Sequence, residues 1–358
     1  MKNEKLKILL VGGGSGGHIV PLLAVAKALK KEEPAIKLQI ITSKTEILKS
    51  KLKNSGWDIK YIAAGKLRRH FTFRLLWELI LFFAGICQSF WYILSFWPDV
   101  VFCKGGFVSV PIAKVAFIFR RPIILHESDI KMGLANKICA ILAKRVCVGF
   151  PVENYPKIKK SKLVYTGTPV QQSTINHQPS TISHQPSAIS TILVVGGSQG
   201  SHAINVLISQ LREKITEKYR LIHICGLNDF SWLNRWSHPN YSLFSFTDDL
   251  LEKINQSDLI ISRSSATVLA EIAASAKPAI LIPLPTAAAD HQTANARYFA
   301  QKEAAMVLAE KGLTDKKLLA EIEKIMSDKN RREKLAANIL ALAQPAAAEL
   351  VAKIIITS

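Results

Sequence analysis

The chain has 358 residues, of which 49% are hydrophobic, and its formal net charge is +20. This length exceeds one ordinary hydrophobic core and favours two domains. The five cysteines are widely spaced, without a C-x-x-C pair or a Cys/His cluster. They favour a reducing cytosolic setting and argue against a structural zinc site.

The positive charge is concentrated in the first half of the chain. Residues 1–168 hold 28 Lys and Arg against 10 Asp and Glu, whereas residues 191–358 hold 19 against 17. This asymmetry indicates an anionic partner for the first half, unless it reflects only a solvated lysine-rich surface. The basic half lacks a recognisable nucleic-acid module, so we expect anionic lipid and no nucleic acid.

The first half alternates strands with helices. Strand Lys7–Val11 is too short an apolar run for a signal peptide; it leads into the sequence GGGSGGH and a helix predicted over Pro21–Lys31. Further strands are predicted at Leu38–Thr42, Val100–Cys103, Pro122–Leu125, Val146–Gly149 and Val164–Thr166. This alternation predicts a parallel, doubly wound sheet.

The apolar segment Leu75–Trp97 is long enough to cross a bilayer, but it lies within this strand series. Three interpretations are open: a spanning helix, a wholly buried core helix, and a helix pair or interfacial patch on the membrane. The third interpretation pairs the aromatic face with basic residues that meet lipid headgroups, namely Lys66, Arg68, Arg69 and Arg74.

The alternation stops at Gln171–Ser190, which contains the near-repeat STINHQP and STISHQP. This uncharged stretch is poor in large apolar side chains, so we expect a flexible insertion. A second strand–helix series then begins with strand Ile192–Val195, the turn GGSQGS and a helix over His202–Lys214. Its later strands are predicted at Leu221–Cys225, Tyr241–Phe244, Leu259–Ser262 and Ala279–Pro283, and the tail Ala346–Ile356 has a helical pattern.

Glycine-rich turns follow the first strand of both series. Glycines let the backbone approach a phosphate, and the helix start directs free N–H groups at it. His18, at the entry to the first helix, could take a proton from an acceptor hydroxyl, or it could simply pack or cap. Ser198 in the second turn could add a phosphate contact. A tight turn without a ligand is the alternative for either loop.

Two further helix starts carry polar residues. In SRSSATVLAE, Glu271 lies one to two turns into a helix, where a carboxylate can accept both ribose hydroxyls or be an ordinary surface residue. In DHQTAN, amide side chains suit sugar hydroxyls, while Asp290 could cap the helix.

Together these motifs resemble the MurG family of glycosyltransferases. Besides the turns and helix starts, the ordered set includes KGGFVSVP, LHESDIKMGLANK, TGTPV and FTDDL, and it covers nearly the whole chain. The resemblance implies an α/β GT-B fold with two Rossmann-like, doubly wound parallel-sheet domains facing a cleft. It implies transfer of N-acetylglucosamine (GlcNAc) from UDP-GlcNAc to lipid I, giving lipid II, by a peripheral enzyme on the cytoplasmic face of the plasma membrane. The family's apolar membrane patch corresponds to the segment around Leu75–Phe82.

The resemblance also implies the site residues. His18 is the first candidate for the general base and Glu127 the second. The substrate-binding positions are Ser15, Gly16, Gly17, Asp129, Gln171, Ser198, Phe246, Thr247, Ala266, Thr267, Val268, Leu269, Ala270, Glu271, Gln292 and Asn295. No metal and no cofactor are expected.

Four positions depart from the family pattern. Asp129 and Thr168 replace Asn, Gln171 replaces an Arg that could pair with phosphate, and Ser265 replaces Gly. The departures at Gln171 and Ser265 keep open an inactive membrane-docking module that binds a sugar nucleotide. A related transferase acting on diacylglycerol, with the same fold and membrane patch but another acceptor, is a second alternative.

The expected domain organisation has four parts. Residues 1–168 form an acceptor- and membrane-binding domain, 169–190 a flexible linker, 191–340 a UDP-sugar-binding domain, and 341–358 a C-terminal helix that could pack back on the first domain.

Overall fold

The computed structural model describes residues 5–13, 16–44, 56–63, 74–170, 189–197 and 199–358. The chain divides into two compact units. The first consists of Met1–Gln171 together with Pro345–Ser358, and the second of Gln172–Gln344.

The first unit is built on a seven-stranded parallel sheet. Its strands are β1 (Lys7–Gly12), β2 (Lys37–Thr42), β3 (Asp58–Tyr61), β4 (Val100–Gly105), β5 (Ile123–Glu127), β6 (Arg145–Val148) and β7 (Leu163–Tyr165). The order across the sheet is β3-β2-β1-β4-β5-β6-β7. The order reverses between β1 and β4, and ligands bind at the carboxyl ends of strands at such a switch point.

The helices of the first unit are α1 (Gly16–Glu32), α2 (Arg74–Phe96), α3 (Ser109–Ile118), α4 (Leu134–Leu142) and the last helix of the chain, α12 (Ala347–Ile356). Short 3₁₀ turns lie at Val152–Asn154 and Lys160–Lys162. Helices α1 and α12 pack together and share one core with β1, β2 and β4. The final helix is therefore part of the first unit, although it follows the second unit along the chain.

The second unit repeats the plan with a six-stranded parallel sheet. Its strands are β8 (Thr191–Val195), β9 (Arg220–Ile224), β10 (Tyr241–Phe244), β11 (Leu259–Ser262), β12 (Ala279–Leu281) and β13 (Met306–Val307). The order is β10-β9-β8-β11-β12-β13, so the switch point lies between β8 and β11.

The helices of this unit are α5 (His202–Lys218), α6 (Leu227–Leu233), α7 (Leu250–Asn255), α8 (Ala266–Ala274), α9 (His291–Gln301), α10 (Asp315–Met326) and α11 (Lys329–Leu340), with a 3₁₀ turn at Ala288–Asp290. Both units therefore confirm the predicted doubly wound parallel sheets.

The predicted elements differ from the structure in three places. Helix α1 begins at Gly16 rather than at Pro21, so the first glycine turn is shorter than predicted. Strands β3 and β13 were not predicted, because β3 is a half-exposed edge strand and β13 has only two residues.

The segment Leu75–Trp97 forms a single helix, α2. The interpretation of a wholly buried helix is wrong, because Phe83 and Trp91 are 63% and 70% exposed. The interpretation as a helix pair is also wrong, because α2 is one continuous helix. Among the described residues, no helix combines the length and apolar character needed to cross a membrane.

Some predictions fall outside the described residues. These are the contacts of Ser15, Gln171 and Ser198, the basic residues Lys66, Arg68 and Arg69, and the insertion from residue 171 to 188.

Candidate active site

The first glycine turn joins β1 to α1 at the switch point of the first sheet. A β-carbon on Gly106, which follows β4, would overlap with the carbonyl oxygen of Gly13 and lie 3.5 Å from Cδ2 of His18. Gly106 also has a φ of +82°, so glycine is required there by conformation as well as by space. The turn after β4 therefore lies directly against the first glycine turn and His18.

His18 is the third residue of α1 and is half-buried. Gly16 and Gly17 form the first turn of the same helix. The first N–H groups of a helix have no partners within it, so this helix start can bind an anion.

Glu127 is the centre of a buried polar cluster at the end of β5. Its Oε1 accepts a hydrogen bond from the backbone N–H of Asp129 at 3.0 Å, and its Oε2 accepts one from the amide of Asn136 at 2.9 Å. Burial and the charge of Asp129 raise the pKa of Glu127 to about 7, although these hydrogen bonds and Lys104 act in the opposite direction. A carboxyl with a pKa near neutrality is suited to accept a proton.

The side chains around Glu127 are also fixed. The ammonium of Lys104 donates to Oγ of Ser128 at 3.0 Å, and the hydroxyl of Tyr155 donates to the backbone carbonyl of Asp129 at 3.0 Å. His126 is fully buried and its Nε2 lies 2.8 Å from the carbonyl oxygen of Gly167. Burial, and then Lys104, lower the pKa of His126 well below its ordinary value, so this imidazole is neutral.

The second glycine turn lies between β8 and α5 in the second unit. A β-carbon on Gly200 would overlap with the carbonyl oxygen of Cys225, and φ of Gly200 is +77°. Ser201 caps α5, since its Oγ accepts from the N–H of Ile204 at 3.4 Å. The turn is therefore held against the end of β9, with the start of α5 at the switch point.

Arg263 ties this turn to neighbouring strands. It is 5% exposed, and its guanidinium donates to Oγ of Ser201 and, at 3.0 Å, to the carbonyl of Ile282. It also forms an ion pair with Glu310. One buried cation thus connects the start of α5 with the end of β12.

Helix α9 is held against the residue that follows Arg263. Oγ of Ser264 donates to the carbonyl of Gln292 at 2.8 Å, and the amide of Asn295 donates to the carbonyl of Ser264 at 3.1 Å. Oε1 of Gln292 accepts from the N–H of Leu284 at 3.1 Å. The structure thus brings Gln292 and Asn295 together, with Oε1 of Gln292 and the amide of Asn295 bonded to the backbone and Asn295 fully buried; their contacts with a sugar remain predictions.

The other predicted donor residues lie on two separate elements. Ala266 to Glu271 occupy the first turns of α8; Ala266, Thr267, Val268 and Leu269 are buried, while Ala270 and Glu271 are half-buried. Phe246 and Thr247 follow β10 and precede α7, with Phe246 exposed. Oγ1 of Thr247 accepts from the N–H of Asp249 at 3.2 Å. Their contacts with a donor remain predictions.

Sequence reasoning missed several residues that organise these sites, chiefly Lys104, Asn136, Ser201 and Arg263. Lys104 had a visible signal, since it is a lysine at the end of an otherwise apolar strand, VVFCKG. Asn136 had none, because its partner Glu127 lies nine positions earlier on another element. Among the described residues, no group of three or more His, Cys, Asp and Glu could hold a metal ion.

Two Rossmann-like units with glycine-rich turns at their switch points form a GT-B fold, and comparison with known proteins identifies the family. Residues 8–148 match the N-terminal domain of glycosyltransferase family 28, and residues 191–351 match its C-terminal domain. The chain therefore belongs to glycosyltransferase family 28 and, within it, to the MurG family, as its similarity to proteins of that family shows.

Two relatives carry the name UDP-N-acetylglucosamine–N-acetylmuramyl-(pentapeptide) pyrophosphoryl-undecaprenol N-acetylglucosamine transferase. The one from Clostridium botulinum (strain Langeland) is 35% identical over 329 residues, covering 90% of this chain and 92% of the relative. The one from Flavobacterium psychrophilum is 33% identical over 350 residues, covering 96% and 95%.

Solved structures show the same architecture. The crystal structure of Acinetobacter baumannii MurG matches 99% of this chain and 100% of its own, with a TM-score of 0.74 and 25% identity. The calicheamicin glycosyltransferase CalG4 covers 100% of this chain and 99% of its own with a TM-score of 0.70, but its 13% identity shows the fold alone.

Proposed function

We propose that this protein transfers GlcNAc from UDP-GlcNAc to the C4 hydroxyl of the muramyl sugar of lipid I, giving lipid II for peptidoglycan synthesis. The observation that carries this proposal is the 35% identity, over 90% of the chain, to a relative named for transfer between these substrates. The family-model matches over residues 8–148 and 191–351 include the two glycine turns and the cluster around Glu127.

The two units divide the substrates between them. The second unit binds UDP-GlcNAc through the start of α5, the Ala266–Glu271 segment and the start of α9. The first unit binds lipid I near His18 and Glu127. Buried hydrogen bonds preorganise a polar cluster in each unit, around Glu127 in the first and around Arg263 in the second.

The reaction is a single displacement with inversion at the anomeric carbon. His18 or Glu127 accepts the proton of the acceptor hydroxyl as the new glycosidic bond forms. The bond between the anomeric carbon and the diphosphate breaks at the same time, and the electron pair leaves with UDP. The N–H groups at the helix starts stabilise the leaving diphosphate.

We further propose that the protein acts as a peripheral enzyme on the cytoplasmic face of the plasma membrane, bound to anionic lipid. Exposed apolar residues follow one stripe of α2 at helical spacing: Ile80, Phe83, Trp91 and Leu94. A stripe of this kind can enter the interfacial region of a bilayer, and the positive charge of residues 1–168 favours anionic headgroups.

The enzymatic proposal is tested by incubating the purified protein with UDP-GlcNAc and lipid I in detergent and analysing the lipid products. Lipid II is the expected product. Diacylglycerol, supplied in a parallel reaction, should not be glycosylated. Glycosylated diacylglycerol without lipid II would overturn the assignment of the acceptor, and no product from either lipid would support the inactive module.

The membrane proposal is tested by sedimentation with vesicles of phosphatidylglycerol and phosphatidylethanolamine. The double variant Phe83→Ser/Trp91→Ser should lose most vesicle binding while keeping its melting temperature and its activity in detergent. Leu227→Ser is the matched control, because Leu227 is 69% exposed but lies in the second unit. Equal binding by the double variant and the wild type would show that α2 is not the docking surface.

A further inference from the structure

Lys104 is a buried cation beside the proposed acceptor site. Its side chain is only 1% exposed, although lysine is almost never fully buried without a partner. Its ammonium donates to Oγ of Ser128 at 3.0 Å. Burial lowers the pKa of Lys104, whereas the carboxylates of Glu127 and Asp129 raise it. The two carboxylates therefore offset part of the cost of burying this charge, and the net pKa of Lys104 is still lowered.

The charged groups that face Glu127 come from several elements. Asp129 lies on the same segment and repels it, while Lys104 on β4 attracts it. Tyr155 is neutral, because burial, and then Glu127, raise its pKa well above the ordinary value. His126, which faces Lys104, is neutral as well. Among these groups, Lys104 is the one that carries positive charge.

Lys104 also contacts the first glycine turn. A β-carbon on Gly12 would lie 3.2 Å from Cβ of Lys104, and the turn that follows Lys104 lies against Gly13 and His18. The same residue therefore packs against the end of β1 and, through its ammonium, contacts the Glu127 segment. A change at Lys104 acts on both halves of the acceptor site.

We propose that Lys104 is a positioning residue of the acceptor site, which through its contact with Ser128 holds the Glu127 segment beside the first glycine turn and favours the ionised form of Glu127. This role rests on the proposed function, because it concerns the protonation of Glu127, one of the two candidate bases for the hydroxyl of lipid I. Lys104 itself does not contact the substrate in this proposal.

The test is the pH dependence of kcat/KM for lipid I in detergent, compared between wild type, Lys104→Met and Lys157→Met. Removing a cation next to a buried carboxyl raises the pKa of that carboxyl by about 1 to 3 units. The acid limb of the pH profile of Lys104→Met should therefore move to higher pH by at least about one unit. At pH 6.5, kcat/KM should be about tenfold lower than in the wild type, and at high pH it should return to the wild-type value. Lys157 is exposed on the same unit, so Lys157→Met should overlay the wild type.

Calorimetric unfolding separates this effect from misfolding, because Lys104 lies in the first unit. Lys104→Met should keep a cooperative unfolding transition of the first unit, which is the transition that does not respond to UDP. Ser128→Ala, which keeps the ammonium but removes its hydrogen-bond acceptor, should shift the acid limb in the same direction by a smaller amount. This variant decides the question if Lys104→Met does not fold.

The outcomes distinguish the two proposals. A wild-type protein that makes no lipid II contradicts the proposed function. A wild-type protein that makes lipid II, with unshifted acid limbs in folded Lys104→Met and in Ser128→Ala, overturns the role of Lys104. A uniform loss of activity at every pH also overturns it, because a purely structural residue would give that result.

Discussion

His18 is the residue on which the proposed chemistry depends most directly. It lies in the first turn of α1 beside the turn that follows β4, where an imidazole can reach an acceptor hydroxyl. If His18 is the general base, His18→Ala should lower kcat by about 10²- to 10⁴-fold and leave the affinity for UDP unchanged. Steady-state kinetics of lipid II formation measures this. Activity within a few-fold of wild type would remove His18 from the role and leave Glu127 as the candidate.

Arg263 shows how one side chain can hold the donor half together. Its buried guanidinium is compensated by Glu310, which is itself partly exposed. Glu310→Gln leaves this cation without a counter-charge, so the free energy of unfolding should fall by about 2 kcal/mol. The KM for UDP-GlcNAc should rise, because Arg263 also holds the cap of α5.

Urea unfolding and steady-state kinetics test this prediction. The control is Glu323→Gln, which removes an ion pair to Lys218 in which both side chains are exposed. Its unfolding midpoint should stay at the wild-type value. If Glu310→Gln and Glu323→Gln had the same unfolding midpoint and the same KM for UDP-GlcNAc, the ion pair with Glu310 would not stabilise Arg263.

At the scale of elements, a buried polar network joins β9 to α5 and α6. Nε2 of His223 lies 3.0 Å from Oδ1 of Asn205, and its Nδ1 lies 3.1 Å from the hydroxyl of Tyr241. The amide of Asn205 donates to the carbonyl of Cys225 and to the carboxylate of Asp229. Through Cys225 the network also supports the second glycine turn.

This network makes the stability of the protein depend on pH. Burial, with a smaller effect from Arg212, lowers the pKa of His223 to about 3. Between that value and the ordinary histidine pKa of about 6.5, only the unfolded chain takes up the proton, so stability falls as pH falls. At pH 5 the loss relative to pH 7.5 is about 2 kcal/mol from this group.

Urea unfolding of wild type and His223→Gln at both pH values isolates that contribution. The wild type should lose about 2 kcal/mol more than the variant on going from pH 7.5 to pH 5. Glutamine keeps a hydrogen-bond donor and an acceptor but does not titrate. The contributions of the other titratable groups to the pH dependence therefore cancel in the comparison. The same pH dependence in both proteins would mean that His223 is not responsible.

Considering the whole molecule, the sequence predicts the two sheets well and their side-chain partners poorly. Parallel strands buried on both faces give continuous apolar runs, and glycine turns mark where strands lead into helices. These signals placed His18 and Glu127 at the carboxyl ends of β1 and β5, the strands on either side of β4. Edge strand β3 lacks such a run, because it alternates half-buried and exposed residues.

The buried polar contacts depend on tertiary structure and have no local signal. Glu127 meets Lys104 and Asn136 because β4, β5 and α4 pack together, and no spacing in the sequence encodes those distances. Asn295 likewise has a buried hydrogen bond to Ser264 that no local pattern indicates, and its predicted sugar contact stays a prediction. The sequence therefore locates the site more reliably than it assigns the role of each residue.

The last helix of the chain, α12, contributes buried side chains to the core of the first unit. Val351 and Ile355 of α12 are fully buried in the core that α12 shares with α1. Ile355→Ala removes buried methyl groups from that core and should lower the free energy of unfolding by about 2–5 kcal/mol. Because this core belongs to the first unit, the destabilisation should be confined to that unit.

Calorimetry in the presence of UDP provides the measurement. UDP raises the melting temperature of the unit that binds it, which identifies the transition of the second unit. In Ile355→Ala the transition of the first unit should move to a lower temperature, while the UDP-dependent transition of the second unit should keep its melting temperature. Leu350→Ala, at an exposed position of the same helix, should leave both unchanged. An equal downward shift of both transitions in Ile355→Ala would mean that the two units unfold as one, so that α12 stabilises the whole chain.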